Sequence, residues 1–217
     1  MITAQRAPAV LTASGIARRW PGGGGLAPVD LQLHAGELTV VRGRSGSGKS
    51  TLLSILAGWC DVDGGRLEHA SGPDWSSWAA IAVVPQVVGL VPELSIAENV
   101  ELPLRLAGVP RDARRARTTA TLRELDLADL AHRLPRETSL GQRQRASIAR
   151  ALVIRPTVAL IDEPTSHQDA SHAAAILASM HEAATRGTAL LVATHDRVVV
   201  HVADAVLDLD APGIVAR

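Results

Sequence analysis

Three short stretches of this chain hold residue types and spacings that could do chemistry. The first is Gly43-Arg44-Ser45-Gly46-Ser47-Gly48-Lys49-Ser50. Its glycines let backbone N–H groups turn inward around an anion, and the spacing G-x-x-x-x-G-K-[ST] is that of a phosphate-cradling loop. A helix opening at its end would add roughly half a positive charge. Lys49 is then placed to reach the β- and γ-phosphates of a nucleoside triphosphate, and the Ser50 hydroxyl to sit on Mg²⁺. The second stretch is the adjacent pair Asp162-Glu163. One carboxylate can hold Mg²⁺, usually through water. Its neighbour can accept a proton from an attacking water. The third is Thr194-His195-Asp196. A lone histidine is ordinarily structural, but this one ends an apolar run just as the acid pair does.

These stretches need a frame that brings them together. Residues 37–42 (ELTVVR) read as a strand entering the glycine loop, and residues 51–58 as a short helix leaving it, closed by Gly58. Residues 158–161 and 189–193 are wholly apolar runs of strand length, and 81–84 is a further buried strand. Residues 9–20 and 26–42 are β-rich and separated by Pro21 and four glycines. Residues 93–134 read as helical, with Pro103 and Pro110 as breaks, then 135–142 as a loop, 143–153 as a helix and about 170–186 as another. Strands alternating with helices predict a largely parallel sheet covered on both faces, with ligands at the carboxyl ends of its strands. The helical block in the middle reads as an insertion.

Composition narrows the class. With 217 residues the chain can bury a sizeable core as one large α/β domain. Formal net charge is zero, so nothing suggests bulk attraction to nucleic acid or to an anionic surface. One cysteine, Cys60, excludes an internal disulfide framework and fits a reducing compartment. There is no Phe or Tyr, so Val, Leu, Ile and Ala must fill the core. The first ten residues lack a signal-peptide pattern, and no apolar run reaches membrane-spanning length. Direct membrane insertion is therefore not expected. The remaining histidines show no metal-ligand spacing.

One segment reads two ways. Ser139-Leu140-Gly141-Gln142 opens a basic helix. Its N-terminus could bind an anion, or Ser139 and Gln142 could simply form a capping box.

Taken together, these segments resemble the nucleotide-binding subunit of ATP-binding cassette (ABC) transporters, over residues 11–215. The glycine loop matches Walker A, and residues 158–163 match Walker B and its catalytic glutamate, Glu163. Gln86, after Val83-Val84-Pro85, matches the Q-loop glutamine, and His195 the switch histidine. Residues 139–145 (SLGQRQR) resemble the signature motif LSGGQ. They depart from it at Thr138, where leucine is usual, and at Leu140, where its first glycine is usual. The following loop reads Ser166-His167-Gln168-Asp169 where the family has Ser-Ala-Leu-Asp, which puts a titratable group near the dimer seam. Residues 90–104 are similar to the lipoprotein-releasing, macrolide-exporter and FtsE-like branch. The stretch 64–81 is shorter than usual.

The resemblance implies an ABC ATPase of P-loop NTPase fold with a RecA-like core. A β-subdomain, N-terminal and antiparallel, and an inserted α-helical subdomain at about 93–140 complete a domain spanning 9–217. ATP and Mg²⁺ are the implied cofactors. Gly43, Arg44, Ser45, Gly46, Ser47, Gly48, Lys49, Ser50 and Thr51 would hold the phosphates, and Ser50, Gln86 and Asp162 the metal. Trp20 would stack on adenine, or else pack within the β-subdomain. Glu163 would act as base and His195 would contact the γ-phosphate. Ser139, Gly141 and Gln142 would close over the ATP of a second, identical or homologous subunit, facing head to tail. The run Val87, Val88, Leu90 and Val91 would receive a short helix from a separate membrane permease, or belong to the core. The implied function is ATP hydrolysis powering an exporter, with the chain cytoplasmic and peripheral on the inner face of the membrane. The alternative is an FtsE-like ATPase that moves a membrane protein and no substrate. DNA-repair and translation ATPases of this family usually carry tandem cassettes, coiled-coil insertions or zinc-binding cysteines, which this chain lacks.

Overall fold

Every residue from Val158 to Ile161 is apolar and fully buried, as a strand covered on both faces requires. This strand lies inside a six-stranded sheet. The computed structural model describes residues 7–72, 74–75, 79–210 and 213–216, the last four by backbone alone. In chain order its strands are β1 (Ala9–Arg19), β2 (Gly25–His34), β3 (Leu38–Arg42), β4 (Gly64–His69), β5 (Ile81–Val84), β6 (Val158–Asp162), β7 (Ala189–Ala193), β8 (Ala205–Asp208) and β9 (Gly213–Ala216). Its helices are α1 (Lys49–Leu56), α2 (Ile96–Leu106), α3 (Arg111–Glu124), α4 (Leu140–Leu152), α5 (Ala170–Thr185) and α6 (Arg197–His201). The main sheet has the order β5-β6-β7-β3-β8-β9, parallel except for β9. A second, antiparallel sheet has the order β2-β1-β4.

Strand alternation divides the interior in two. Ala159, Ile161, Leu190 and Val192 face a core completed by α2, α4 and α5. Val158, Leu160, Ala189 and Leu191 face a core completed by α1 and the antiparallel sheet. The P-loop and α1 thus lie between the two sheets, and the helices inserted after β5 cover the other face.

The structure departs from the sequence-based elements at several points. Helix α2 runs through Pro103, which costs it one main-chain donor, and it ends a turn later at Leu106. Helix α3 stops at Glu124. Asp126 takes a left-handed φ of 52°, and the turn drives Leu125 and Leu127 into the core. Helix α4 begins at Leu140, inside the expected loop, because the Ser139–Gln142 capping box closes its first turn. Strand β4, with only half-buried and exposed residues, carries no alternating pattern that would have announced it. Met1–Arg6, which bear on the signal-peptide expectation, lie outside the described residues, as do residues 73 and 76–78 of the shortened stretch 64–81 and the expected end at Arg217.

The helical insertion hangs on one buried amide. Asn99 is fully buried. Its Oδ1 accepts from the Val91 N–H at 2.7 Å, and its Nδ2 donates to Val91 O at 3.0 Å, Leu94 O at 2.9 Å and Ser95 O at 3.0 Å. It holds the entry into α2 in place of regular structure. Asn99→Ala should destabilise the chain by about 3 kcal/mol, since it removes a fully buried amide and leaves the half-buried main-chain groups of Val91 and Leu94 without it. Urea unfolding measures this; a loss close to that of an ordinary surface substitution would count against the role.

Candidate functional site

The chemistry-bearing residues meet at the carboxyl ends of β3, β6 and β7. Strand β3 ends at Arg42 and delivers the glycine loop, which bends straight into α1. Gly48 has a φ of 99°, and a Cβ there would lie 2.5 Å from Gly25 O, so only glycine fits. This contact also sets the Gly22–Gly25 turn, and Trp20 before it, against the loop. No side chain caps α1 at Gly48. Its first-turn N–H groups therefore keep their capacity for an anion, reinforced by the helix dipole. Lys49 Nζ donates to Gly43 O at 2.6 Å and Arg44 O at 3.0 Å, which lays the ammonium across the mouth of the loop.

Strand β6 delivers the acid pair. Asp162 is buried, and its Oδ2 accepts from the Ser50 hydroxyl at 2.9 Å. Burial pushes its carboxyl above the usual range and the neighbouring Glu163 adds to this, while the Ser50 bond and Lys49 oppose it. Glu163 takes a left-handed φ of 49°, uncommon for a residue with a side chain. Its main chain is tied on both sides: its N–H donates to Ala193 O at 2.8 Å, and its carbonyl accepts from Ser166 Oγ at 2.8 Å and Gln144 Nε2 at 3.3 Å. Its carboxylate accepts from His195 Nδ1 at 2.9 Å and Thr194 Oγ1 at 3.0 Å.

One cavity of about 580 Å³ gathers these groups. It is lined by Trp20, Gly43, Arg44, Ser45, Gly46, Gly48, Lys49, Ser50, Thr51, Gln86, Asp162, Glu163 and His195, together with Gly24 and Gly25. The size is that of a small-molecule site. Ser47 does not line it: its hydroxyl is buried beneath Gly43, and its N–H closes a turn on Arg44 O at 3.1 Å. Trp20 is fixed at its edge by Nε1 donating to Thr51 Oγ1 at 3.3 Å, and the Arg18 guanidinium lies 4.9 Å from its ring centroid. Arg18 is itself held by Asp63 at 2.7 Å.

The profile of the ABC transporter family matches residues 26–166. The chain belongs to the ABC transporter family. It is 38% identical over 191 residues, 83% of its length, to the pyoverdine export ATP-binding/permease protein PvdT of Pseudomonas aeruginosa. It is 37% identical over 95% of its length to the macrolide export ATP-binding/permease protein MacB of Burkholderia lata. It spans 29% and 32% of those proteins. The ATP-binding cassette MJ0796, solved as a dimer in a post-hydrolysis state with ADP and Pi, superposes with a TM-score of 0.80 at 28% identity, covering 91% of this chain and 93% of that one.

The segments expected to meet other chains lie outside this cavity. Ser139, Gly141 and Gln142 do not line the cavity; they form the first turn of α4, where Ser139 Oγ accepts from the Gln142 N–H at 3.2 Å and Gln142 Oε1 from the Ser139 N–H at 2.8 Å. The run after Gln86 is not one apolar face. Val87 is 82% exposed, whereas Leu90 packs against the core. The apolar groove lies further on, between α1, β5, α2 and α4, where Trp59, Leu102, Leu106 and Ile154 line about 440 Å³. Spacing could not place it, because its walls come from four separate elements. Gln144 and Thr194 position Glu163, the first by donating to its carbonyl and the second, which belongs to the third stretch, by donating to its carboxylate. Both are ordinary polar residues until the fold brings them to Glu163.

The raised carboxyl of Asp162 sets the sign of a pH effect. The folded chain holds this proton more tightly than the unfolded chain, so burial of the charge subtracts stability once pH exceeds the ordinary carboxylate range. Asp162→Asn keeps an acceptor for Ser50 and removes the charge. It should melt higher than the parent at pH 7 without nucleotide, and equal to it below about pH 3, well under the ordinary Asp pKa, where Asp162 is protonated in both states. Calorimetry at the two pH values tests this; equal melting at pH 7 would contradict it.

Proposed function

We propose that this chain is the ATP-hydrolysing subunit of an ABC exporter, acting as one half of a head-to-tail pair on the cytoplasmic face of a membrane permease. The observation that carries this reading is a division of the site. One cavity holds the P-loop, Asp162, Glu163 and His195, while exposed Ser139 and Leu140 open α4 away from it. A cassette so divided needs a second copy, or a homologue, to complete each phosphate site. The dimeric MJ0796 cassette supports that arrangement.

In this reading the loop N–H groups and Lys49 bind the phosphates, and Trp20 takes the adenine on its face. The oxygen donors Ser50 and Asp162, already hydrogen-bonded to each other, suit Mg²⁺. With Gln86 they would hold it, and when bound it neutralises phosphate charge. Glu163, oriented by Thr194 and His195, takes the proton from the attacking water. His195 lies at the cavity wall within reach of the terminal phosphate. Ser139 and the α4 N-terminus close over the partner's nucleotide, and expelling water there strengthens each of these contacts. Positioning and charge stabilisation suffice for phosphoryl transfer.

The matched relatives are named as export ATP-binding/permease proteins, which favours export over mechanotransmission. Among the described residues no helix is long and apolar enough to cross a membrane. The groove at Trp59, Leu102 and Leu106 suits a short apolar helix from it.

Glu163→Gln should retain ATP binding and lower turnover by about 10²–10⁴-fold, the scale of general-base catalysis. Near-parental hydrolysis in a phosphate-release assay would overturn the assignment of the base. Leu106→Glu should leave basal ATPase intact and abolish stimulation by the permease in vesicles. Parental stimulation would move the docking surface elsewhere.

A further inference from the structure

We propose that Gln168 is a positioning residue that ties the start of α4 to the loop after Glu163, so that the surface one subunit offers to its partner's nucleotide moves with the base serving its own. The inference rests on the head-to-tail reading above.

The loop from Glu163 to Gln168 joins β6 to α5. Two non-glycine residues in it, Glu163 and His167, hold left-handed φ values of 49° and 62°. Such a loop keeps its shape only if its surroundings hold it. At one end the carbonyl of Glu163 takes the Ser166 and Gln144 hydrogen bonds. At the other, Asp169 caps α5 by accepting from the His172 N–H at 2.9 Å. Between them stands Gln168. Its Nε2 donates to Gly141 O at 3.0 Å, and its Oε1 accepts from Arg145 Nη1 at 3.0 Å. Chemistry fixes the amide orientation, because the reverse would set oxygen against carbonyl and NH₂ against guanidinium. Arg145 is buried and pinned by its Nε donating to Leu125 O at 3.0 Å. The helix and the loop are also in direct contact. A Cβ on residue 141 would lie 2.8 Å from His167 O and 3.2 Å from the Gln168 amide. The first turn of α4 cannot tilt toward this loop without displacing it, and the two Gln168 bonds resist tilting away. An apolar residue at this position would fill the space and carry neither bond.

The test compares Gln168→Met, matched in length and without hydrogen bonds, with Gln168→Glu. The carboxylate still accepts from Arg145 but cannot donate to Gly141 O. Both variants should lose roughly tenfold in turnover, the scale of one or two hydrogen bonds. Both should also lose the sigmoidal dependence on ATP, while binding a fluorescent ATP analogue as the parent does. Gln168→Glu keeps Arg145 paired and so preserves the test should Gln168→Met fold poorly. Parental turnover and sigmoidicity in Gln168→Glu would overturn the tie to α4. Ser139→Ala, run alongside, separates the two readings. If it leaves turnover unchanged, the head-to-tail reading fails and this inference falls with it. If it impairs turnover while the Gln168 variants match the parent, only the role of Gln168 is lost.

Discussion

The hydrogen bond from Ser50 Oγ to Asp162 Oδ2 joins the first turn of α1, which follows β3, to the end of β6, and these two strands are not neighbours. Strands β3 and β6 flank β7 on opposite sides, about 10 Å apart at two strand spacings. The parallel register places Val41, Ala193 and Asp162 in one row across the sheet. Above that row the chain leaves β3 as the P-loop, β6 as Glu163 and β7 as Thr194. The backbone row continues one step further, with the Glu163 N–H donating to Ala193 O at 2.8 Å and the Thr194 N–H to Val41 O at 3.2 Å. A slip of one residue in β6 would turn Asp162 to the wrong face and bring Ile161 to Ser50. The cavity therefore depends on a register that the two apolar cores enforce from either side.

Two adjacent carboxylates at one strand end would repel each other if their side chains stayed together. Strand alternation sends Asp162 down toward Ser50. The left-handed turn at Glu163 sends the next carboxylate out to Thr194 and His195. The cost of that turn is met by main-chain and side-chain bonds from Gln144, Ser166 and Ala193. Burial raises the Asp162 pKa, and the Ser50 hydrogen bond and Lys49 offset this in part.

Much of this was legible in the residues. The P-loop pattern, the apolar runs of β6 and β7 and the acids that follow them point to a parallel sheet with a phosphate site at its carboxyl edge. Period and spacing sufficed, because buried parallel strands are apolar throughout. Other features come from tertiary contact and left no periodic mark. The groove walls at Trp59, Leu102 and Ile154 are far apart in sequence. Leu125 and Leu127 look like helix residues until Asp126 turns the chain. Ser139 and Gln142 were legible as a capping box and as an anion site alike, and the structure forms the box. A capping hydroxyl keeps one lone pair and its proton, so the box does not use up what Ser139 can offer a second chain.

The departure at Leu140 can be weighed on the same geometry. Leu140 opens α4 with 42% of its surface exposed, on the outer side of the first turn. The neighbouring position is the crowded one, since a Cβ on residue 141 would meet His167 O at 2.8 Å. The demand for glycine within this chain thus falls on 141, where glycine is present, and not on 140. A leucine at 140 leaves the helix start, its capping box and its contact with the loop undisturbed. Whatever it changes lies outside this fold, in the space a second chain would enter.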